Sequence, residues 1–147
     1  MITSVELARL LTENAGRIVE HWQESDGAWL VDVAMFGLAP MRVNVVGDQV
    51  VISDGGAAME LLESRLGRKL TPADKRLLLR TCLPLGVELQ GHELTFRGHT
   101  SDVMVGLILV AATSDKVATG LELLRRIMAR NLRKAKAVAK PRARRGR

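Results

Sequence analysis

The fold of this chain is organised around one stretch, VVISDGGAAMELL, which spans Val50–Leu62. Its first three residues are apolar and β-branched, as a buried strand prefers. Asp54 can accept hydrogen bonds from the free N–H groups at the start of a helix. The two glycines that follow permit positive φ or a close approach of neighbouring backbone. The stretch therefore predicts a strand, a tight turn and a helix, with Asp54 in a structural, capping role.

The residues before this stretch predict three antiparallel strands that lead into the turn. Residues 28–36 alternate between two faces with a period of two, which is typical of a half-buried strand. A second strand is expected over residues 41–46 and a third over 49–52. Gly47-Asp48 lies between them and fits a two-residue type II′ hairpin, with glycine in first position.

Cap residues and apolar spacing predict four to five helices and one further hairpin. The helices are expected from near Ser4 to residues 20–23, over 57–66, over 71–82, over Val103–Ala112 and from about 113 to Leu132. The hairpin is expected over 87–90 and 93–96, around Gly91-His92. Val103–Ala112 is apolar nearly all round, which indicates the central buried helix. The fold class that follows is α+β, with antiparallel β-hairpins packed against helices.

Charge is distributed very unevenly along the 147 residues, although the net charge is only +6. Residues 1–132 carry 14 basic and 16 acidic side chains, whereas residues 133–147 carry eight basic side chains and no acidic one. We therefore expect a single domain over 1–132 and a basic C-terminal tail over 133–147. The composition of the tail predicts disorder when it is free.

The basic C-terminal region is the candidate nucleic-acid-binding surface. Its cations would neutralise phosphates, and the absence of aromatic residues predicts binding without sequence readout by the tail. The candidate residues are Arg125, Arg126, Arg130, Arg133, Lys134, Lys136, Lys140, Arg142, Arg144, Arg145 and Arg147. Two alternatives remain open at this point. The tail could only confer solubility, or it could lie on a membrane surface, which the lack of a Trp- or Phe-bearing apolar face disfavours.

Composition argues against several other classes of protein. A single cysteine, Cys82, excludes an internal disulfide framework, and its apolar surroundings in a predicted helix indicate a core residue. The N-terminus lacks a signal-peptide pattern. The longest uncharged run, Val103–Ser114, is too short to span a bilayer. These features predict a cytoplasmic protein without a membrane partner.

The evidence for catalysis in the sequence is weak. Asp54, Glu88 and Gln90 resemble the acid and acid-x-Gln pattern of some metal-dependent nucleases, but such sites need clustered carboxylates, normally with a basic residue beside them. The histidines, His21, His92 and His99, have no ligand spacing. The chain also lacks nucleotide-binding and hydrolase motifs. We therefore expect no metal, no cofactor and no catalytic residue, and a nuclease ranks third among the hypotheses.

Several short motifs together resemble a family of small bacterial and phage domains of unknown function. They are Val51–Gly56, a short leucine helix, Arg80, Gly86-Val87-Glu88-Leu89 and Glu93-Leu94. The resemblance covers roughly residues 28–112, and Asp26-Gly27 with Asp32 only approximates the Asp-rich first strand of the family. The family implies a phage or mobile-element setting and supplies no activity.

These observations lead to a non-catalytic accessory protein of a phage or mobile element as the first hypothesis. It would contact nucleic acid, or a complex that contains nucleic acid, through its basic C-terminus. The alternative is a protein-binding inhibitor or regulator that acts through the acidic domain, for example an antagonist of a host defence system.

Overall fold

The computed structural model describes residue 9 and residues 18–33 and 39–144, and within them an antiparallel sheet and four α-helices. The strands are β1 Ile18–Gln23, β2 Trp29–Val33, β3 Met41–Val46, β4 Gln49–Ser53, β5 Val87–Gln90 and β6 Glu93–His99. The helices are α1 Ala57–Leu66, α2 Pro72–Cys82, α3 Val103–Ala118 and α4 Leu121–Arg144. The prediction of an α+β fold is thereby confirmed.

The six strands lie in the order β1-β2-β3-β4-β6-β5, and every neighbouring pair is antiparallel. Both predicted two-residue hairpins are present, between β3 and β4 and between β5 and β6. Their first residues, Gly47 and Gly91, have φ of +66° and +62°, as glycine-first turns require. The second hairpin inserts β6 beside β4, where Ile52 pairs with Phe96.

The first strand is a correction to the sequence prediction. Ile18–Gln23 is extended and pairs with β2, with His21 opposite Val31, whereas the sequence predicted the last residues of a helix there. Pairing with β2 gives this backbone a regular set of hydrogen bonds that a fading helix end lacks. Most of the predicted first helix, and residues 34–36 of the predicted strand, lie outside the described residues.

Helices α1 and α2 begin and end where local signals predict. Gly67, at φ +70°, ends α1 in the left-handed conformation. Thr71 and Asp74 form a reciprocal capping box at the start of α2, with Pro72 as its first residue. In α1, Ala58, Met59 and Leu62 are buried, whereas Leu61 and Leu66, which the sequence predicted to be buried, are only partly buried.

The core lies between one face of the sheet and α3. Val43 and Ile52 are completely buried on the sheet, and Leu107 is completely buried on the helix. Gly106 lets α3 approach closely, since a Cβ placed there would lie 2.5 Å from Cδ1 of Phe96 and 2.7 Å from Cδ1 of Ile52. The helix is central, as predicted, but it is not buried on every side, because Val105 is 57% exposed.

The sequence placed the boundary between the last two helices too early. Thr113 and Ser114, expected at the start of a new helix, are buried within α3. The Thr113 hydroxyl donates to the carbonyl of Leu109 at 2.6 Å, one turn back, instead of capping. The chain breaks only at Gly120, where a Cβ would lie 2.9 Å from Cδ2 of Leu78.

Helix α4, Leu121–Arg144, continues beyond its predicted end near Leu132 to the last described residue. Its 24 residues correspond to a length of roughly 36 Å. The side chains of residues 132–138 are all exposed, so this part of the helix extends beyond the domain. Disorder of residues 133–147 when free stays a prediction.

We expect Gly106→Ala to destabilise the protein, although alanine favours helix by about 1 kcal/mol over glycine. The new methyl group would overlap Phe96 and Ile52, and overpacking of this kind costs about 1–3 kcal/mol. Val105→Ala, next to it on the exposed side of α3, should change stability by no more than about 0.5 kcal/mol. Urea unfolding followed by circular dichroism measures both. Equal stability of the two variants would contradict the close approach.

Candidate functional site

The carboxylate of Asp54 is buried at the centre of the fold, with only 2% of the residue exposed. It accepts four hydrogen bonds, from three backbone amides and one hydroxyl. Oδ1 accepts from Gly56 N at 2.9 Å and Leu94 N at 2.9 Å, and Oδ2 accepts from Ala58 N at 3.3 Å and Ser114 Oγ at 3.2 Å. One side chain therefore connects the start of α1, strand β6 and helix α3.

This arrangement supports the structural role predicted for Asp54, but Asp54 is not itself the N-cap residue of α1. A buried carboxylate is costly unless hydrogen bonds replace its water, and here four donors do so. The residue at the N-cap of α1 is Gly56, two positions later, at φ +84°, and Gly55 has φ +66°. The sequence missed the donors Leu94 and Ser114, which lie 40 and 60 residues away along the chain.

The residues of the nuclease hypothesis occupy different environments. Asp54 is buried, whereas Glu88 and Gln90 are exposed on β5. Gln90 Oε1 accepts from Arg97 at 3.2 Å. Within residue 9 and residues 18–33 and 39–144, no group of three or more His, Cys, Asp or Glu is placed to hold a metal ion. The carboxylate of Asp54 would have to give up protein donors to bind one.

Each histidine has a local partner in the fold. His21 packs against Trp29, with ring centroids 5.8 Å apart. His92 bridges Glu63, through Nε2, and the ammonium of Lys75, which lies 3.3 Å from Nδ1. His99 Nδ1 accepts from the backbone of Ser101 at 3.2 Å. Cys82 is buried, as predicted for a core residue.

The candidate nucleic-acid-binding residues fall mainly on α4. The side chains of Arg126, Arg130, Arg133, Lys134 and Lys136 are exposed. The backbone of α4 also contains Arg125, Lys140, Arg142 and Arg144, while Arg145 and Arg147 lie outside the described residues. The structure thus arranges on one continuous helix most of the cations that the sequence predicted on a free tail.

The spacing of these cations along α4 determines which of them share a face of the helix. Arg126, Arg130 and Arg133 follow one another at four and three residues, so they share one face of α4. No acidic residue follows Glu122 in this helix. We call the face that carries Arg126, Arg130 and Arg133 the basic face.

Another side of α4 is apolar and also exposed. Met128 and Leu132 are four residues apart, so they share this side, and they are 50% and 58% exposed. Val138 is 69% exposed but lies about 120° around the helix from Leu132. The signal for this side in the sequence was the four-residue spacing of Met128 and Leu132, at the end of the predicted last helix.

The first turns of α4 are attached to the domain. The guanidinium of Arg65 donates to the carbonyl of Ala118, just before the turn into α4, at 3.2 Å. Arg68 Nη2 lies 3.9 Å from the sulfur of Met128. Ile127 is half-buried, and it is the last residue of α4 with a described side chain that is not exposed. The basic face therefore belongs to a helix whose first turns are held against the domain.

None of the helices in the described part of the chain is long and apolar enough to cross a membrane. No protein-family model, no curated protein and no solved structure matches the chain. The resemblance to the family of bacterial and phage domains therefore stays a prediction.

Removal of the Asp54 carboxylate should strongly destabilise the fold. Asp54→Ala leaves three backbone amides and one hydroxyl without their acceptor, and each buried unsatisfied group costs about 1–3 kcal/mol. We expect a loss of at least about 3 kcal/mol in the free energy of unfolding, measured by urea titration. Ser114→Ala removes one donor only and should cost less, about 1–2 kcal/mol. Unchanged stability of Asp54→Ala would contradict the structural role.

Proposed function

We propose that this protein is a non-catalytic nucleic-acid-binding protein that contacts phosphates through the basic face of α4. The observation that carries the proposal is the arrangement of exposed cations on a helix that projects from the domain. Arg130, Arg133 and Lys134 are exposed, and the acidic side chains of the chain all lie before this part of the helix. A polyanion could therefore approach without repulsion from α4.

The dimensions of the helix suit a nucleic-acid duplex. An α-helix with its side chains is about 10–12 Å wide, and the major groove of B-form DNA is about 12 Å wide. Arginine and lysine on such a helix reach phosphates on both sides of the groove. Asn131 is the one amide side chain on α4, so base-edge contacts are few, and binding should be largely independent of sequence.

The setting we propose for this activity is a phage or mobile element. It rests on the resemblance of residues 28–112 to small phage and bacterial domains, and an accessory role is the function that such a setting favours. The domain would position the projecting helix on nucleic acid or on a complex that contains it.

A second candidate function is regulation or inhibition of a protein partner, such as a host defence component. The exposed apolar side chains of Met128 and Leu132 favour it, because phosphate binding does not require them. This observation moves the expected contact from the acidic domain to α4. The two functions use different sides of the same helix, so substitutions can separate them.

The basic face predicts salt-dependent binding. Each phosphate contact contributes about 0.9 to the slope of log affinity against log salt concentration on duplex DNA. The variant Arg130→Gln/Arg133→Gln/Lys134→Gln should therefore lose up to about 2.7 from that slope, together with most of its low-salt affinity. Fluorescence anisotropy with labelled duplexes of two unrelated sequences, over a range of salt concentrations, measures both quantities.

The matched control is Leu132→Gln, which changes an exposed side chain on the apolar side of α4 without altering charge. It should bind duplex as the unmodified protein does, with the same slope, while a protein partner that docks on the apolar side would be lost. Equal duplex affinity of the charge variant and the unmodified protein would contradict the proposed function. So would a strong preference for one of the two sequences.

A further inference from the structure

A groove of about 330 Å³ lies between α2 and α4, on a side of α4 other than the basic face. Arg76 and Arg80 stand one turn apart on α2 and line it, and both are exposed. Its volume is at the lower end of the range of about 300–1,000 Å³ that small-molecule sites occupy. The groove is therefore large enough for a small ligand.

The positive charge of the groove is not neutralised by its surroundings. Among the described residues, neither Arg76 nor Arg80 makes an ion pair or a side-chain hydrogen bond. The described lining contains one acidic residue, Asp74, and its carboxylate accepts from Arg68 at 2.7 Å and from the backbone of Thr71 at 3.0 Å. The hydrogen bond from Arg68 lowers the pKa of Asp74. Two guanidinium groups therefore remain for an external anion.

The rest of the lining is apolar, with one amide. Leu77, Ile127 and Met128 contribute hydrocarbon and thioether surface, and Asn131 offers a donor and an acceptor. A mostly apolar groove with a few convergent polar groups is the usual composition of a small-molecule site. The pair of arginines beside it indicates a ligand with an anionic end and an apolar body.

We propose that this groove binds a phosphate monoester whose body packs on the apolar lining, and that this ligand is a nucleotide. Guanidinium groups bind phosphate oxygens in a bidentate manner, and two of them match the charge of a phosphate dianion better than that of a single carboxylate. The base lies against Leu77, Ile127 and Met128, and Asn131 contacts its edge. The ligand comes either from free nucleotide or from the phosphorylated end of a strand. The site does not depend on the basic face of α4.

The test uses the full chain labelled with ¹³C in the methionine methyl groups, observed by NMR at physiological salt. Met128 lies in the groove, its signal is assigned with Met128→Leu, and the buried Met59 serves as an internal reference. AMP should shift the Met128 signal in a saturable manner and leave Met59 unchanged. Adenosine and inorganic phosphate, which each lack one half of the ligand, should bind at least tenfold more weakly.

Two paired variants separate this site from the basic face. Arg76→Gln/Arg80→Gln should weaken AMP binding at least tenfold, whereas Arg130→Gln/Arg133→Gln removes as many charges from the other face and should leave it unchanged. A short strand with a 5′ phosphate is compared with AMP. Tighter binding of the strand assigns the ligand to strand ends, and equal or weaker binding assigns it to free nucleotide.

Three results would overturn the proposal. The first is a Met128 signal that AMP does not move. The second is an AMP affinity that Arg76→Gln/Arg80→Gln leaves unchanged. The third is an equal loss of AMP binding in Arg130→Gln/Arg133→Gln, which would show that only net charge matters. Loss of duplex binding with retained AMP binding, or the reverse, distinguishes failure of one site from failure of the other.

Discussion

The structure depends on one buried carboxylate. Asp54 lies where the strand β4 ends and α1 begins, and its two oxygens accept from α1, β6 and α3. A carboxylate in this position is tolerable only while all its donors are in place, because an unpaired buried charge is far more costly than the hydrogen bonds it makes. The relative positions of two helices and the sheet are therefore constrained together, and this accounts for the turn being acidic and rich in glycine.

The close approach of α3 to the sheet is the second constraint, and it determines where α4 begins. Gly106 lets the helix lie directly on Phe96 and Ile52. About two turns further along the helix, the hydroxyl of Ser114 reaches Asp54. Ser114 makes this contact from within the helix, which continues through residues 113–115. It breaks instead at Gly120, where a Cβ would lie 2.9 Å from Cδ2 of Leu78 and 3.0 Å from the carbonyl oxygen of Val117. Packing of α3 thus sets the origin and direction of α4.

Two separate groups of exposed positive charges lie on this protein, one on α4 and one on α2. The basic face of α4 presents a row of cations along a projecting helix, which suits an extended polyanion whose phosphates repeat along its length. Arg76 and Arg80 present two cations beside an apolar groove, which suits one anionic group attached to an apolar body. The two proposed binding surfaces thus use the same residue types, and they differ in whether hydrophobic surface accompanies the charge.

The sequence by itself determined the features whose partners are close along the chain. The turns at Gly47 and Gly91, the end of α1 at Gly67 and the capping box at Thr71 each depend on backbone conformation within a few residues, and all were predictable. Only the tertiary structure decided the features that depend on distant partners. Ile18–Gln23 became a strand because β2 pairs with it, and α3 stayed unbroken because Ser114 reaches Asp54 across 60 residues. The groove between α2 and α4 likewise depends on where the two helices lie relative to each other, and local propensity carries no information about that placement.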